Sequence, residues 1–392
     1  TTAVTMLESM LKAQGLRAVA AGNVGMPLLE AVLHPQPYDV IAVELSSFQL
    51  HWSRTVSPYA SCCLNVAPDH IDWHGSYEEY KRQKGRVYER TQVACVYNVD
   101  DPATEAMVED AEVVDGCRAI GFTLGTPGPS MVGIVDDVLA DRAFIAERRT
   151  SAAELAILSD LGPNASAPHY VADALAAAAL ARSYGVTLAA VRQGLVDYTP
   201  QPHRMASVAE VGGVRWVDDS KATNPPAAQA SLQAFDPVVW IAGGLLKGAE
   251  VDDLVRANAS RLRAAVLLGR DRGIIADALA AHAPQVPVTV IETSDADEAM
   301  REAVAAANAA AQRGDTVLLA PAAASLDMYA SYGARGDAFA DAVAFVRERS
   351  RPYFEAAASG YGRASDDPHV LHRTGELSAR LHAAEGLLER AG

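Results

Sequence analysis

Three short clusters in the first hundred residues carry side chains that can handle phosphate and a divalent cation. The first is Glu44-Leu-Ser-Ser-Phe-Gln-Leu, at the carboxyl end of an apolar run over residues 39–45. Ligands of open α/β sheets bind beyond the carboxyl ends of strands, so an acidic side chain there is placed to hold Mg²⁺. The same residues can instead start a helix, with Ser46 or Ser47 as the cap and Glu44 in a salt bridge. The second cluster, Asn65-Val-Ala-Pro-Asp-His70-Ile-Asp-Trp-His74, again follows a strand-like run. Its two His and two Asp can serve a hard metal and a phosphate, or belong to an ordinary turn; no H-E-x-x-H spacing supports a zinc hydrolase. Lys84, in Tyr80-Lys-Arg-Gln-Lys, falls on the next helix and by itself reads as a surface lysine.

The second half of the chain offers three more clusters. Asp218-Asp-Ser-Lys221-Ala-Thr-Asn224-Pro follows Pro202-His-Arg204. An Asn and a Lys between a strand and a Pro-initiated helix suit a nucleotide base and phosphate, and a simple capped helix start is the competing reading. Ala242-Gly-Gly-Leu-Leu-Lys247-Gly and Gly269-Arg-Asp271 close two apolar runs, and glycines there let a ligand approach the backbone. The last cluster runs from Ala320-Pro-Ala-Ala-Ala-Ser325-Leu326-Asp through Tyr332 to Arg335-Gly-Asp.

The elements that must position these residues alternate. Val4, Leu7, Met10 and Leu11 recur at helical spacing, and Gly15 supplies the stop. Strands are expected at 17–21, 39–45, 61–65 and 93–97, separated by helices, which is the pattern of a largely parallel α/β sheet. Between 118 and 149 the pattern is shorter and β-like around the turn cluster Gly-Thr-Pro-Gly-Pro at 125–129. Ala-rich helices follow at 169–184 and 188–196. A second doubly wound unit opens near Pro200, with strands at 238–242, 264–268, 288–291 and 316–320. The expected division is 1–200, 201–350 and a polar, Ala-rich tail over 351–392.

Composition narrows the function. No stretch of about 18 apolar residues is present, and no basic segment leads into an apolar one at the start. A formal charge of −16 argues against nucleic acid or an anionic membrane as partner, so local cations and metal ions must hold any anionic substrate. Cys62, Cys63, Cys95 and Cys117 lack C-x-x-C spacing and read as buried thiols in a reducing cytoplasm.

In order and spacing, Thr1-Thr2, Gly22-Asn23-Val-Gly25, Glu44-Leu-Ser-Ser-Phe-Gln, Asp69-His70 and Lys84 resemble the central domain of the Mur ligase family. The resemblance covers about residues 1–350. It implies a P-loop-type central domain followed by a Rossmann-like C-terminal ligase domain. It also implies that Thr1, Glu44, His70 and Lys84 surround two Mg²⁺ ions, with Lys84 carbamylated into a bridging carboxylate. Glu44, His70 and Lys84 are then the catalytic set. Freeing a neutral lysine amine at pH 7 costs about 4.6 kcal/mol, which coordination of the carbamate to Mg²⁺ can offset, since that ion prefers hard oxygen to an amine.

By the same resemblance, ATP meets Thr1, Thr2, Arg204, Lys221, Asn224, Lys247 and Asp271, and the other substrates meet Asn23, Ser46, His70, Ser325, Leu326 and Tyr332. The Ser325 cluster is similar to that of the D-glutamate-adding branch, with Tyr332 where the family often has Phe. The Asp-Asn-Pro-Arg of the diaminopimelate-adding branch is missing. The implied reaction phosphorylates the carboxylate of UDP-N-acetylmuramoyl-L-alanine with ATP and then joins D-glutamate to it, in a monomer whose C-terminal domain closes about the segment near Arg204. Family members carry a Gly-Thr-Asn-Gly-Lys loop before the Thr-Thr pair and a domain that grips the uridine diphosphate. Neither is in this sequence, so the expectation is a polypeptide with little activity by itself.

Overall fold

The first helix, α1 (Thr2–Ala13), forms where the apolar spacing predicts it, burying Met6, Met10 and Leu11. Gly15 follows it at φ +87°, a conformation that favours glycine. The computed structural model describes residues 1–360, and it divides the chain into one unit over Thr1–Thr199 and a second that begins at Pro200.

In the first unit the chain runs β1 (Ala18–Gly22), α2 (Leu28–Val32), β2 (Val40–Glu44), α3 (Ser47–Trp52), β3 (Ala60–Cys63), α4 (Ile71–His74), α5 (Tyr77–Gly85) and β4 (Ala94–Asn98). It continues through α6 (Pro102–Glu109), β5 (Arg118–Phe122), β6 (Met131–Val135), β7 (Val138–Asp141), β8 (Ala153–Ile157), α7 (Pro168–Ser183) and α8 (Leu188–Val196). These strands make two sheets. β1 and β2 pair in parallel as one, and the other has the order β3-β4-β5-β6-β7-β8. β3 to β6 are parallel, and β6, β7 and β8 are antiparallel, as the short β-like pattern beyond residue 118 suggests.

A cavity of about 620 Å³ is lined by Val40–Glu44 of β2 on one side and by Ala60–Cys63 of β3 on another. Val4, Leu7 and Leu11, three of the four residues of the apolar face read for α1, line it too. Behind the larger sheet, α7 buries Ala174 and Ala176–Ala179 completely, and these small side chains let it lie close to the strands. Gly194 of α8 serves the same end against α1: a Cβ there would stand 2.4 Å from the Cα of Met10.

The second unit contains β9 (Ala206–Val211), β10 (Val214–Asp218), α9 (Pro225–Leu232), β11 (Val238–Ala242), α10 (Asp252–Asn258) and β12 (Leu262–Leu267). It ends with α11 (Arg272–His282), β13 (Val288–Val290), α12 (Ala296–Ala310), β14 (Thr316–Leu319) and α13 (Tyr332–Gly360). The sheet order is β13-β12-β11-β14-β10-β9, parallel except for β9. Its core joins Trp216, Val239, Ile241, Val266, Met300, Leu319 and Phe339. α13 carries the chain past residue 350, so the tail expected from 351 begins inside this helix; residues 361–392 of that tail lie outside the described residues.

Candidate functional site

In the first unit, Thr1, Asn23, Glu44, Ser46, His70 and Lys84 all line the cavity between β2 and β3. Thr2, which opens α1, is not among its lining residues. Glu44 ends β2, and its carboxylate lies 2.9 Å from the Thr1 backbone nitrogen and accepts a hydrogen bond of 2.9 Å from the Asn23 amide. Burial opposes ionisation of Glu44, and the side-chain hydrogen bonds from Asn23 and Thr1 favour it. The cap reading of this segment is realised: Ser46 Oγ accepts from the Gln49 N–H and its own N–H donates to Gln49 Oε1, a reciprocal capping box for α3.

His70 sits before α4 at φ +51°, a left-handed conformation uncommon outside glycine and enriched at functional positions. The edge of its ring meets Phe48, with 4.9 Å between centroids, and Nε2 of His74 lies 2.9 Å from Ser47 Oγ. Two sequence motifs read separately, Glu44–Gln49 and Asp69–His74, are thus one packed surface. Burial, then the neighbouring His70, lowers the His74 pKa. Lys84, in the last turn of α5, has no ion-pair partner among the described residues.

The cysteines form no disulfide. Cys63 and Cys95 are buried, while Cys62 and Cys117 are partly exposed, so the expectation of four buried thiols holds for two. Burial raises the pKa of Cys63, which keeps it as a neutral thiol.

In the second unit, the order of strands reverses on either side of β14, which opens a crevice at the carboxyl edge of a doubly wound sheet. The loops after β10, β11, β12 and β14 emerge at that edge, and they carry Lys221 and Asn224, Lys247, Asp271, and Ser325 with Leu326. Asn224 caps α9 by accepting from Ala227 N–H, so the capped-start reading of that segment is also realised. Asp271 accepts from Leu246 N–H at 2.8 Å and its own N–H donates to Gly244 O, holding the loop that leads to Lys247. The Lys221 ammonium lies 4.4 Å from the Tyr332 ring centre, a cation–π contact between two clusters more than a hundred residues apart. Ser325 is buried, whereas Leu326 and Tyr332 are exposed.

Among the described residues of this unit, four non-glycine residues have positive φ: His203, Met205, Lys247 and Ala322. They flank Arg204, form Lys247 itself and lie in the loop before Ser325. Backbone strain of this kind costs about 1–3 kcal/mol per residue and gathers where surrounding structure enforces a functional geometry. His203 Nδ1 lies 2.6 Å from the buried Asp218, and its carbonyl accepts from Lys221 N–H, so the segment holding Arg204 is tied to the loop after β10.

Sequence reading gave no role to three side chains here. Asp327 accepts from Arg270 N–H, and Trp240 donates through Nε1 to Ala320 O, each bracing a strand-end loop. The third, Arg335, is 2 % exposed and donates to oxygens of Ser220, Gly243 and Ala323. Its place beside Ser325 in the sequence was visible, but nothing in a lone Arg-Gly-Asp signals burial.

The Mur ligase middle domain matches residues 1–156, and the Mur ligase glutamate ligase domain matches residues 203–323. A Streptomyces coelicolor protein named UDP-N-acetylmuramoylalanine–D-glutamate ligase is 59 % identical, over 88 % of this chain and 72 % of its own length. The protein of that name from Mycolicibacterium smegmatis is 46 % identical, over 88 % of this chain and 73 % of its own. Among solved structures, the MurF ligase of Thermotoga maritima in complex with ADP superposes with a TM-score of 0.57 at 16 % identity, covering 89 % of this chain and 78 % of that one. The folylpolyglutamate synthase of Mycobacterium tuberculosis gives 0.55 at 15 % identity over 88 % of both chains, so the fold extends beyond the cell-wall ligases. Matched in both units by family models, and at 59 % identity along 88 % of its length by a named ligase, this chain belongs to the Mur ligase family.

Proposed function

We propose that this protein joins D-glutamate to UDP-N-acetylmuramoyl-L-alanine with ATP, a ligation step of peptidoglycan precursor synthesis. One observation carries the reading: the strand-end loops bearing Lys221, Lys247, Asp271 and Ser325 converge where the strand order reverses, in a chain 59 % identical to a ligase named for that reaction. The γ-phosphoryl group of ATP passes to the alanyl carboxylate and ADP leaves. The amine of D-glutamate then attacks the acyl phosphate, a C–N bond forms, the C–O bond to phosphate breaks, and the amine loses a proton.

Negative charge on the phosphoryl oxygens is what this chain must offset, and in a protein of net charge −16 that falls to local groups. Lys221, Lys247 and Arg204 supply cations, and the strained backbone around them fixes where those cations point. Ser325 and Tyr332 receive the side chain of the incoming amino acid, the first through its hydroxyl and the second through its ring. Asn23 and Ser46 border the acceptor. The four unlinked thiols suit a reducing compartment, and the reading places a monomeric enzyme in the cytoplasm.

The described residues hold no cluster of three or more His, Cys, Asp or Glu able to enclose a metal. Glu44 offers one carboxylate in the first-unit cavity, and Mg²⁺ keeps water ligands and binds one or two carboxylates together with substrate phosphate. Glu44 and His70 would hold it, with Thr1 alongside. When bound, the ion neutralises phosphoryl charge. Two ions and a carbamylated Lys84 complete the reading; its support is that Lys84 lines the same cavity as Glu44 and His70 and lacks an ion-pair partner among the described residues.

The test is phosphate release from ATP by the protein at its whole encoded length, measured against a panel of amino acids and acceptors. Release that needs both D-glutamate and the UDP-N-acetylmuramoyl-L-alanine acceptor is expected. Release driven by another amino acid, or by a folate acceptor, overturns the assignment.

A further inference from the structure

Arg335 occupies the first turn of α13 with its guanidinium inside the second unit. Nε donates to Ser220 Oγ at 3.0 Å and Nη2 to Ser220 O at 2.9 Å. Nη1 donates to Ala323 O at 3.1 Å and to Gly243 O at 3.3 Å. No carboxylate stands within ion-pair distance of it among the described residues; the charges of Asp327 and Asp218 act on it from farther away. Burial accordingly lowers its pKa to about 10. A buried cation held by neutral oxygens is a costly way to fill space, because its desolvation is not matched by a counter-charge. What it gains is geometry, since one planar fork addresses several acceptors at once.

Those acceptors lie on three separate loops. Ser220 begins the loop after β10 that carries Lys221 and Asn224, Gly243 begins the loop after β11 that carries Lys247, and Ala323 precedes Ser325 after β14. Ser220 Oγ also donates to Tyr332 O at 2.7 Å, so the same turn of α13 that supplies Arg335 is fastened to the loop after β10. The fit is close on the far side too: a Cβ on Gly244 would stand 3.2 Å from Arg335 Nη1 and 2.2 Å from Ala324 O.

We infer that Arg335 is a positioning residue, setting from beneath the loops that present the nucleotide-side and amino-acid-side groups of the ligase. This rests on the proposed function for the identity of the ligands, though not for the loops themselves. Arg335 is buried beneath the loops, and it couples the two sides because a single side chain holds both.

The test combines kinetics with amide hydrogen exchange on Arg335→Lys, which keeps the charge and loses the fork. Peptides spanning 219–224, 243–247 and 322–326 are expected to lose protection together while β11 and β12 keep theirs. The KM values for ATP and for D-glutamate are expected to rise together by about tenfold, the order that loss of hydrogen bonds from a charged group gives. Ser325→Ala, which disturbs one loop, moves the D-glutamate value alone. Unchanged KM values on the folded enzyme, or deprotection spread evenly over the unit, overturn the inference. The exchange measurement needs no turnover, so it stands even if the enzyme proves to use another amino acid. Ser220→Ala removes one acceptor and leaves Arg335 in place; if Arg335→Lys does not fold, this variant is expected to show the same three-loop pattern in weaker form, and its absence is equally decisive.

Discussion

At the scale of single residues, one ionisable group in each unit offers a test. Lys84 has only the surroundings of a cavity lined by Glu44 and His70 to change its chemistry, and the proposed carbamate turns it from a cation into an oxygen donor. Lys84→Ala is expected to lower ligase turnover by about 10²–10³-fold, the size of effect seen when one group stabilising developing charge is removed. Added bicarbonate or a short-chain carboxylic acid should restore part of it. Full activity without any addition would remove Lys84 from the mechanism.

Asp219 lies in the second unit, where burial pushes its carboxyl from 3.8 to about 6 in spite of hydrogen bonds from Ser231 Oγ and Met205 N–H. An acid raised in this way binds its proton more tightly when folded. Its penalty is absent below pH 3.8, grows as pH rises, and is complete above 6. Asp219→Asn lacks that term, so its stability relative to the parent should improve across this window and then level off. Denaturant midpoints of both proteins at several pH values check it; a constant difference contradicts the assigned burial.

At the scale of elements, the carboxyl-edge loops depend on backbone that no other residue type can supply. Gly243 and Gly244 adopt φ +122° and +135°, and Cβ atoms there would lie 1.9 Å from Leu268 O and 2.2 Å from Ala324 O. The glycines thus let the loop after β11 run against the loops after β12 and β14. Gly244→Ala combines strain with overpacking and should destabilise the second unit by at least about 2 kcal/mol in denaturant unfolding. Gly273→Ala in α11, with open space and an ordinary φ, is the control and should be neutral or slightly stabilising. Equal behaviour of the two variants would show that the loop can relax.

The same elements show what local pattern reveals. β11 coincides with the apolar run at 238–242, because a buried parallel strand is a continuous apolar segment with clear ends, whereas β13 falls within a residue of the run at 288–291 although all three of its residues are exposed. β9 was not read at all. Ala206–Val211 is a short edge strand of small and polar residues, fixed mainly by its antiparallel pairing with β10 across the Gly212-Gly213 turn.

At the scale of the whole molecule, the alternating α/β pattern and the motifs were legible in the chain, because helical and strand periods and capping chemistry are local properties. The sequence by itself determined the type of most elements, the resemblance to the Mur ligases and the identity of residues such as Glu44, His70, Lys221 and Ser325. It also left both readings open at Ser46, Glu44 and Asn224. Tertiary structure decided two of these, showing Ser46 and Asn224 as caps, each still within a candidate site.

Only tertiary structure could place β1–β2 and β3–β8 in separate sheets with a cavity between β2 and β3, because strand order is set by contacts distant in sequence. It alone gathered six first-unit candidates along that cavity. It alone put Arg335 beneath three loops, for the same reason: the acceptors of that one guanidinium lie from 12 to 115 residues away along the chain, and no local period encodes them.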